Sequence, residues 1–278
     1  MYELERWIDV DELSFRYLSR NPNAIELIKE NMCTSLFGFE DYGDREICWA
    51  NLSANPNAID ILKINPNNIC WRWLCQNPNA INLFEEEEDK IYWPEFSSNP
   101  NAIHILERNL DKIDWEMLSS NPNAIYLLET NPEKINWRKL SSNPNAIHLL
   151  EKNREKIDWY YLSLNPSAIH LLEANEDKIC WYNLSSNPNA IKLLQENTDK
   201  ICWYNLSSNP NAIQLLSENI DQIHWSVLSS NPSIFKKRIN YDYLNDRMNI
   251  IKEELMMKSM HPSRLVRWIE MGGDVDDF

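Results

Sequence analysis

The chain has 278 residues, of which 43% are hydrophobic and 25% charged, and its formal net charge is −15. That balance supplies a core and excludes a disordered composition, while the negative charge disfavours phosphate-backbone binding, which needs clustered Lys and Arg. Only four glycines are present, too few for a fold built on tight hairpins.

The opening MYELERWIDVDEL has neither a basic start nor an apolar run, so it does not read as a signal peptide. No apolar stretch reaches membrane-spanning length. The residues Asp11 to Arg20 align with the second half of a repeat met later, with Phe15 where that repeat carries tryptophan, and Asn21 to Asn31 reads as a first helix. An insert of 12 residues follows, with Phe37, Phe39 and Tyr42 as candidate contacts or as a lid over the first unit.

From Asn55 the motif Asn-Pro-Asn-Ala-Ile returns with a constant 22-residue period, at Asn77, Asn99, Asn121, Asn143, Asn165 (with Ser167 as third residue), Asn187 and Asn209, and in degraded form at Asn231. A tryptophan keeps the same step from Trp49 to Trp225. Most of the 36 asparagines fall at such fixed phases. In the copy Asn121 to Ser142, Asn121 suits a helix N-cap and Pro122 the first turn. Ala124, Ile125, Leu127 and Leu128 form an apolar stripe. Asn131 ends that helix, Pro132 is expected to open a second, and Ile135, Trp137 and Leu140 cover a wide buried arc. Helices of about two turns are unstable alone, so the units must stack.

The expected fold class is therefore all-α: an elongated α-solenoid of 22-residue two-helix repeats with distinct N- and C-terminal caps, spanning very roughly 70 Å over eight units at a helix-packing step. The expected organisation is an N-terminal cap and first repeat over 1–54, eight regular repeats over 55–230 and a helical cap over 231–278. In the last segment Tyr241 to Met257 reads as a longer helix. His261 and Pro262 open a final one, and Gly272 and Gly273 stop it. The cysteines Cys33, Cys48, Cys70, Cys75, Cys180 and Cys202 lack framework spacing and read as reduced thiols, which together with the missing leader points to the cytoplasm.

The stretch LSSNPNAIYLLETNPEKINW, Leu118 to Trp137, resembles the NPNAI-type repeats found in many copies in giant viruses of the mimivirus kind, and MHPSRLVRWIEMGG, Met260 to Gly273, resembles closing modules of the same group. The resemblance implies viral origin more than activity, and with it a place in the host cytoplasm or viral factory. A looser likeness to leucine-rich-variant repeats implies a curved solenoid of short paired helices.

In such an array the core phases are fixed and the binding phases vary. The sixth phase reads Asp60, Asn82, His104, Tyr126, His148, His170, Lys192 and Gln214. The eighteenth reads Arg72, Pro94, Glu116, Arg138, Tyr160, Tyr182, Tyr204 and Ser226. Either row is a candidate partner surface or a solvated face. The tyrosines, with Tyr161 beside them, either meet a partner or lie against neighbouring units. The three histidines are too far apart in the stack to share a metal, and Cys70, Cys180, Cys202, Asp114 and Asp158 read as small fillers at the edge of the core. No catalytic constellation, metal or cofactor is expected. The expected role is a non-enzymatic scaffold or adaptor, monomeric, for a protein or peptide. The alternatives are a structural component of a viral particle or factory, or a reader of single-stranded nucleic acid, which the charge opposes.

Overall fold

The computed structural model describes residues 2–35, 46–237, 241–259 and 261–272. The chain divides into two units, Met1–Lys236 and Lys237–Phe278.

The copy Asn121 to Ser142 shows how each repeat is made. The Asn121 side chain closes a turn by accepting from Asn123 N at 2.9 Å, and the helix Ile125–Thr130 follows. Asn131 ends it by donating its side-chain amide to Leu127 O at 2.9 Å. Here the expectation needs correction. Pro132 does not open the second helix; Pro132–Lys134 is a separate 3₁₀ turn. Ile135 and Asn136 then run extended, and the second helix is Trp137–Ser141. The extended step frees the Asn136 N–H, which donates at 3.0 Å to Ser119 Oγ of the preceding repeat. Ser119 itself donates to Trp115 O at 2.7 Å, so one buried hydroxyl joins two repeats. At the sixteenth phase Asp114 and Asp158 are helix caps rather than fillers. Asp114, Asn136 and Asp158 there each accept from the backbone three residues on. Cys48, Cys70, Cys180 and Cys202, and Tyr92 and His224, occupy it without capping.

The asparagines at the first phase carry the stack. Each is buried and donates both side-chain N–H groups to two backbone carbonyls of the preceding copy: Asn143, for example, to Ser119 O and Asn121 O at 3.1 and 2.8 Å. The third-phase asparagines add a further rung to the proline carbonyl of the preceding copy, as Asn145 does to Pro122 O at 2.9 Å. Buried donors need partners, and here the partners lie in the preceding unit, so stacking and satisfaction are the same event.

The stack does not end in two free faces. Asn21, the first of the series, donates to Ser229 O and Asn231 O at 3.0 and 2.8 Å, the same pair of acceptors that every other copy finds in its predecessor. Ser14 N donates to Ser229 Oγ at 2.9 Å, and Asn23 to Pro232 O at 2.8 Å, completing the other two ladders. Met1–Lys236 is therefore a closed ring of ten units, not the elongated array expected. Closure needs a rotation of about 36° per unit. It also removes the need for a polar N-terminal cap, because unit ten covers the face of unit one.

The seam has its own clasp. The strand β1 (Tyr2–Leu4) pairs with β2 (Phe235–Lys237), which stands where the tenth unit would have its Asn-Pro-led helix. Glu5 N donates to Ile234 O at 2.8 Å, Glu5 meets Lys236 at 3.2 Å, and Trp7 packs on Trp225 with centroids 6.3 Å apart.

The second unit contains the helices Tyr241–Ser259 and Pro262–Glu270. His261 caps the latter by accepting from Ser263 N, and Gly272 follows it with φ 90°. No described helix is long and apolar enough to cross a membrane. The insert residues Phe37, Phe39 and Tyr42 lie outside the described residues.

Candidate interaction surface

In a closed ring the elements on the inner side must approach one another most closely. Those elements are the Trp-phase helices: Trp49–Ser53 packs on Trp71–Leu74, and Trp137–Ser141 on both Trp115–Ser119 and Trp159–Leu162. Among the described residues no pair of helices led by Asn-Pro packs as closely, which assigns them to the outside. Ten inner helices about 8–10 Å apart lie on a circle roughly 25–32 Å across. Subtracting a helix thickness of about 10–12 Å leaves an opening of roughly 15–20 Å.

On each inner helix the leucine (or Phe96) three residues after the tryptophan and the serine (or Cys75) after that are buried, so the position directly after the tryptophan faces the opening, while the one beyond it is buried at Glu95, Asn183 and Val227. The eighteenth-phase row therefore lines the inner wall, and the sixth-phase row lies on the outer surface. Asp60, Asn82, His104, Tyr126, His148, His170, Lys192 and Gln214 are all exposed there. The histidines join neighbouring outer helices instead of converging: His104 to Glu85 at 3.6 Å, His148 to Glu129 at 3.0 Å and His170 to Glu151 at 3.2 Å. No group of three metal-binding side chains occurs among the described residues.

The inner wall is asymmetric. One arc carries Arg72, Glu116 and Arg138. Arg72 donates to Glu95 Oε1 at 2.6 Å and lies 5.2 Å from the Tyr92 ring, and the Glu95 hydrogen bond raises its pKa further. Glu95 is buried, and its Oε2 has no hydrogen-bond partner. Arg138 reaches Asp158 at 3.9 Å and lies 4.9 Å from the Tyr161 ring, with Lys139 on the same ring at 5.7 Å. Tyr161 is thereby absorbed into the wall, as the packing alternative expected. Tyr160, Tyr182 and Tyr204 are not. They stand on three successive units at 49%, 52% and 45% exposure. Tyr160 meets the edge of Tyr161 and Tyr204 meets His224, and neither contact covers the outward face.

Two inter-unit features escaped sequence reasoning. The tryptophans are half-buried, and a lysine from the turn of the following repeat covers the ring in six successive cases, from Lys90 on Trp71 to Lys200 on Trp181, at 4.3–4.9 Å. The shared 22-residue period of Trp and Lys was the available signal. At the nineteenth phase, Asn183 and Asn205 donate to Tyr160 O and Tyr182 O at 2.7 and 2.6 Å, fixing the backbone that carries the exposed tyrosines. Cys48, Cys70, Cys75, Cys180 and Cys202 are free thiols. Cys75 stands at the serine phase, accepts from Tyr92 N at 3.2 Å, and burial pushes its pKa up to about 11.

No family model, curated protein or solved structure matches this chain.

Proposed function

We propose that this protein is a non-enzymatic interaction module that holds a polypeptide partner against the inner wall of its ring. The observation that carries the reading is the trio Tyr160, Tyr182 and Tyr204, exposed side by side on three consecutive inner helices. Tyrosine offers a large apolar face with a hydrogen-bonding tip and few rotamers to lose, which suits recognition of protein chains. The scaffold behind them is already ordered by the asparagine and serine ladders, so the binding surface has little conformational entropy left to lose.

Selection from a random peptide display library tests the reading. The full chain should enrich peptides, and the enrichment should vanish when Tyr160, Tyr182 and Tyr204 are together changed to Ser with far-ultraviolet circular dichroism unchanged. Equal enrichment by both proteins would remove the tyrosine arc from the account.

The same arc, with Arg16, Arg72 and Arg138 on the wall, also has the ingredients of a stacking platform for single-stranded nucleic acid. The net charge opposes it.

A further inference from the structure

Among the described residues of this unit, eight aromatic rings are met by a cation. Six lysines lie over tryptophans, Arg72 lies over Tyr92, and Arg138 lies over Tyr161. Tyr160, Tyr182 and Tyr204 are not met in this way: among the described residues no cation lies over them, as none lies over Trp73 or Tyr126, and about half of each side chain is exposed. Their π-faces are electron-rich and attract a cation from outside.

Charge points the same way. Residues 1–236 contain 20 Lys and Arg against 34 Asp and Glu, so this part carries −14 of the chain's −15. The arginines of the wall are already met by carboxylates, Arg72 by Glu95 and Arg138, on the unit next to Tyr160, by Asp158. Arg16, two units beyond Tyr204, bounds the arc at that end. The ring's field therefore draws in a cationic partner and repels a polyanion.

Width sets the partner's form. An opening of roughly 15–20 Å passes an extended strand or a single helix of about 10–12 Å. A folded domain of ordinary size, with a radius of gyration of about 13 Å, does not fit. Resting on the interaction reading above, we infer that the occupant is a basic, unfolded or singly helical polypeptide segment that enters the opening and seats Lys or Arg side chains on Tyr160, Tyr182 and Tyr204.

Fluorescence anisotropy of the full chain with a labelled oligo-arginine peptide, a labelled oligo-glutamate peptide and a labelled oligothymidine tests this at near-physiological salt. Oligo-arginine should bind. Changing the three tyrosines to Leu should weaken it about tenfold, the equivalent of three contacts at the weak end of the cation–π range. Changing them to Phe, which keeps the π-face, should alter it less than about threefold, as should Tyr126→Leu on the outer surface. Circular dichroism checks the fold of each variant, and a second set with Gln in place of Leu guards against an effect of packing. Oligo-arginine binding indifferent to the Leu and Gln sets is adhesion to an acidic surface and overturns the inference. Tyrosine-dependent binding of oligo-glutamate or oligothymidine overturns it as well. If the display selection yields tyrosine-dependent peptides without basic residues, this inference falls while the interaction reading stands; if it yields none, both fall.

Discussion

Closure makes an end residue behave like an interior one, and Asn21→Ala measures it. In the ring, Asn21 is buried, donates to Ser229 O and Asn231 O, and accepts from Asn23 N at 3.0 Å. Alanine removes all three bonds: the buried Ser229 carbonyl and the Asn23 N–H lose their partners, and Asn231 O keeps only the Ile234 N–H. At about 0.5–1.5 kcal/mol net per bond, the loss is about 3 kcal/mol. Asn143→Ala, which removes bonds to Ser119 O, Asn121 O and Asn145 N in the middle of the array, has the same inventory and the same expected cost. In an open stack the Asn21 amide would face solvent, and the substitution would remove only a local cap worth about 1 kcal/mol. Urea unfolding of both variants followed by circular dichroism compares the two losses under one condition. Equal shifts of the midpoint at unchanged slope support closure. A shift for Asn21→Ala about a third of that for Asn143→Ala refutes the reasoning, since the seam would then be no part of the folded array.

Cys75→Ser restores the hydroxyl that the other nine copies of this phase carry, and should be neutral or stabilising near pH 7 by urea unfolding. Because the folded thiol has its pKa raised to about 11, the unfolded chain ionises first, so wild-type stability should fall as pH rises from about 9 towards 11. That part of the fall should be missing in the Ser variant, and identical alkaline slopes would contradict it. Lys156→Ala uncovers Trp137, whose ring lies 4.5 Å from the ammonium. It should destabilise by about 0.5–1 kcal/mol and less at high salt; an unchanged urea midpoint would mean that this lysine is only solvated.

The repeat itself was legible because its signals are local. Asn121 and Pro122 start a turn, Leu127 and Leu128 must be buried, and Trp137 cannot be sheltered by its own repeat alone. Closure is different in kind. It is the sum of ten small rotations, each set by how inner residues such as Asn183 and Asn205 draw neighbours together while the outer helices stay apart, and no single unit states the total. The buried amide of Asn21 was nevertheless a clue, since a true end unit has no use for a donor that needs a preceding carbonyl pair. The split of the second half-repeat into a 3₁₀ turn and a helix was hidden for a related reason: the extended Ile135–Asn136 step is held by Ser119, one repeat earlier. At the candidate surface, the variability of the two phases pointed to exposed positions, and both rows are exposed. It could not choose between inside and outside, because that choice depends on which helix the curvature places innermost.

Carbodiimide coupling of the native protein addresses closure most directly. Glu5 and Lys236 are 231 residues apart in sequence and 3.2 Å apart in the ring, whereas nine steps of an open stack would separate the ends of the array by roughly 70–90 Å. Mass spectrometry of the monomer should find the Glu5–Lys236 amide alongside the local Glu87–Lys90 link, whose partners are 2.8 Å apart and serve as the reaction control. Recovery of the local link without the seam link in the monomer would mean that the ring is open.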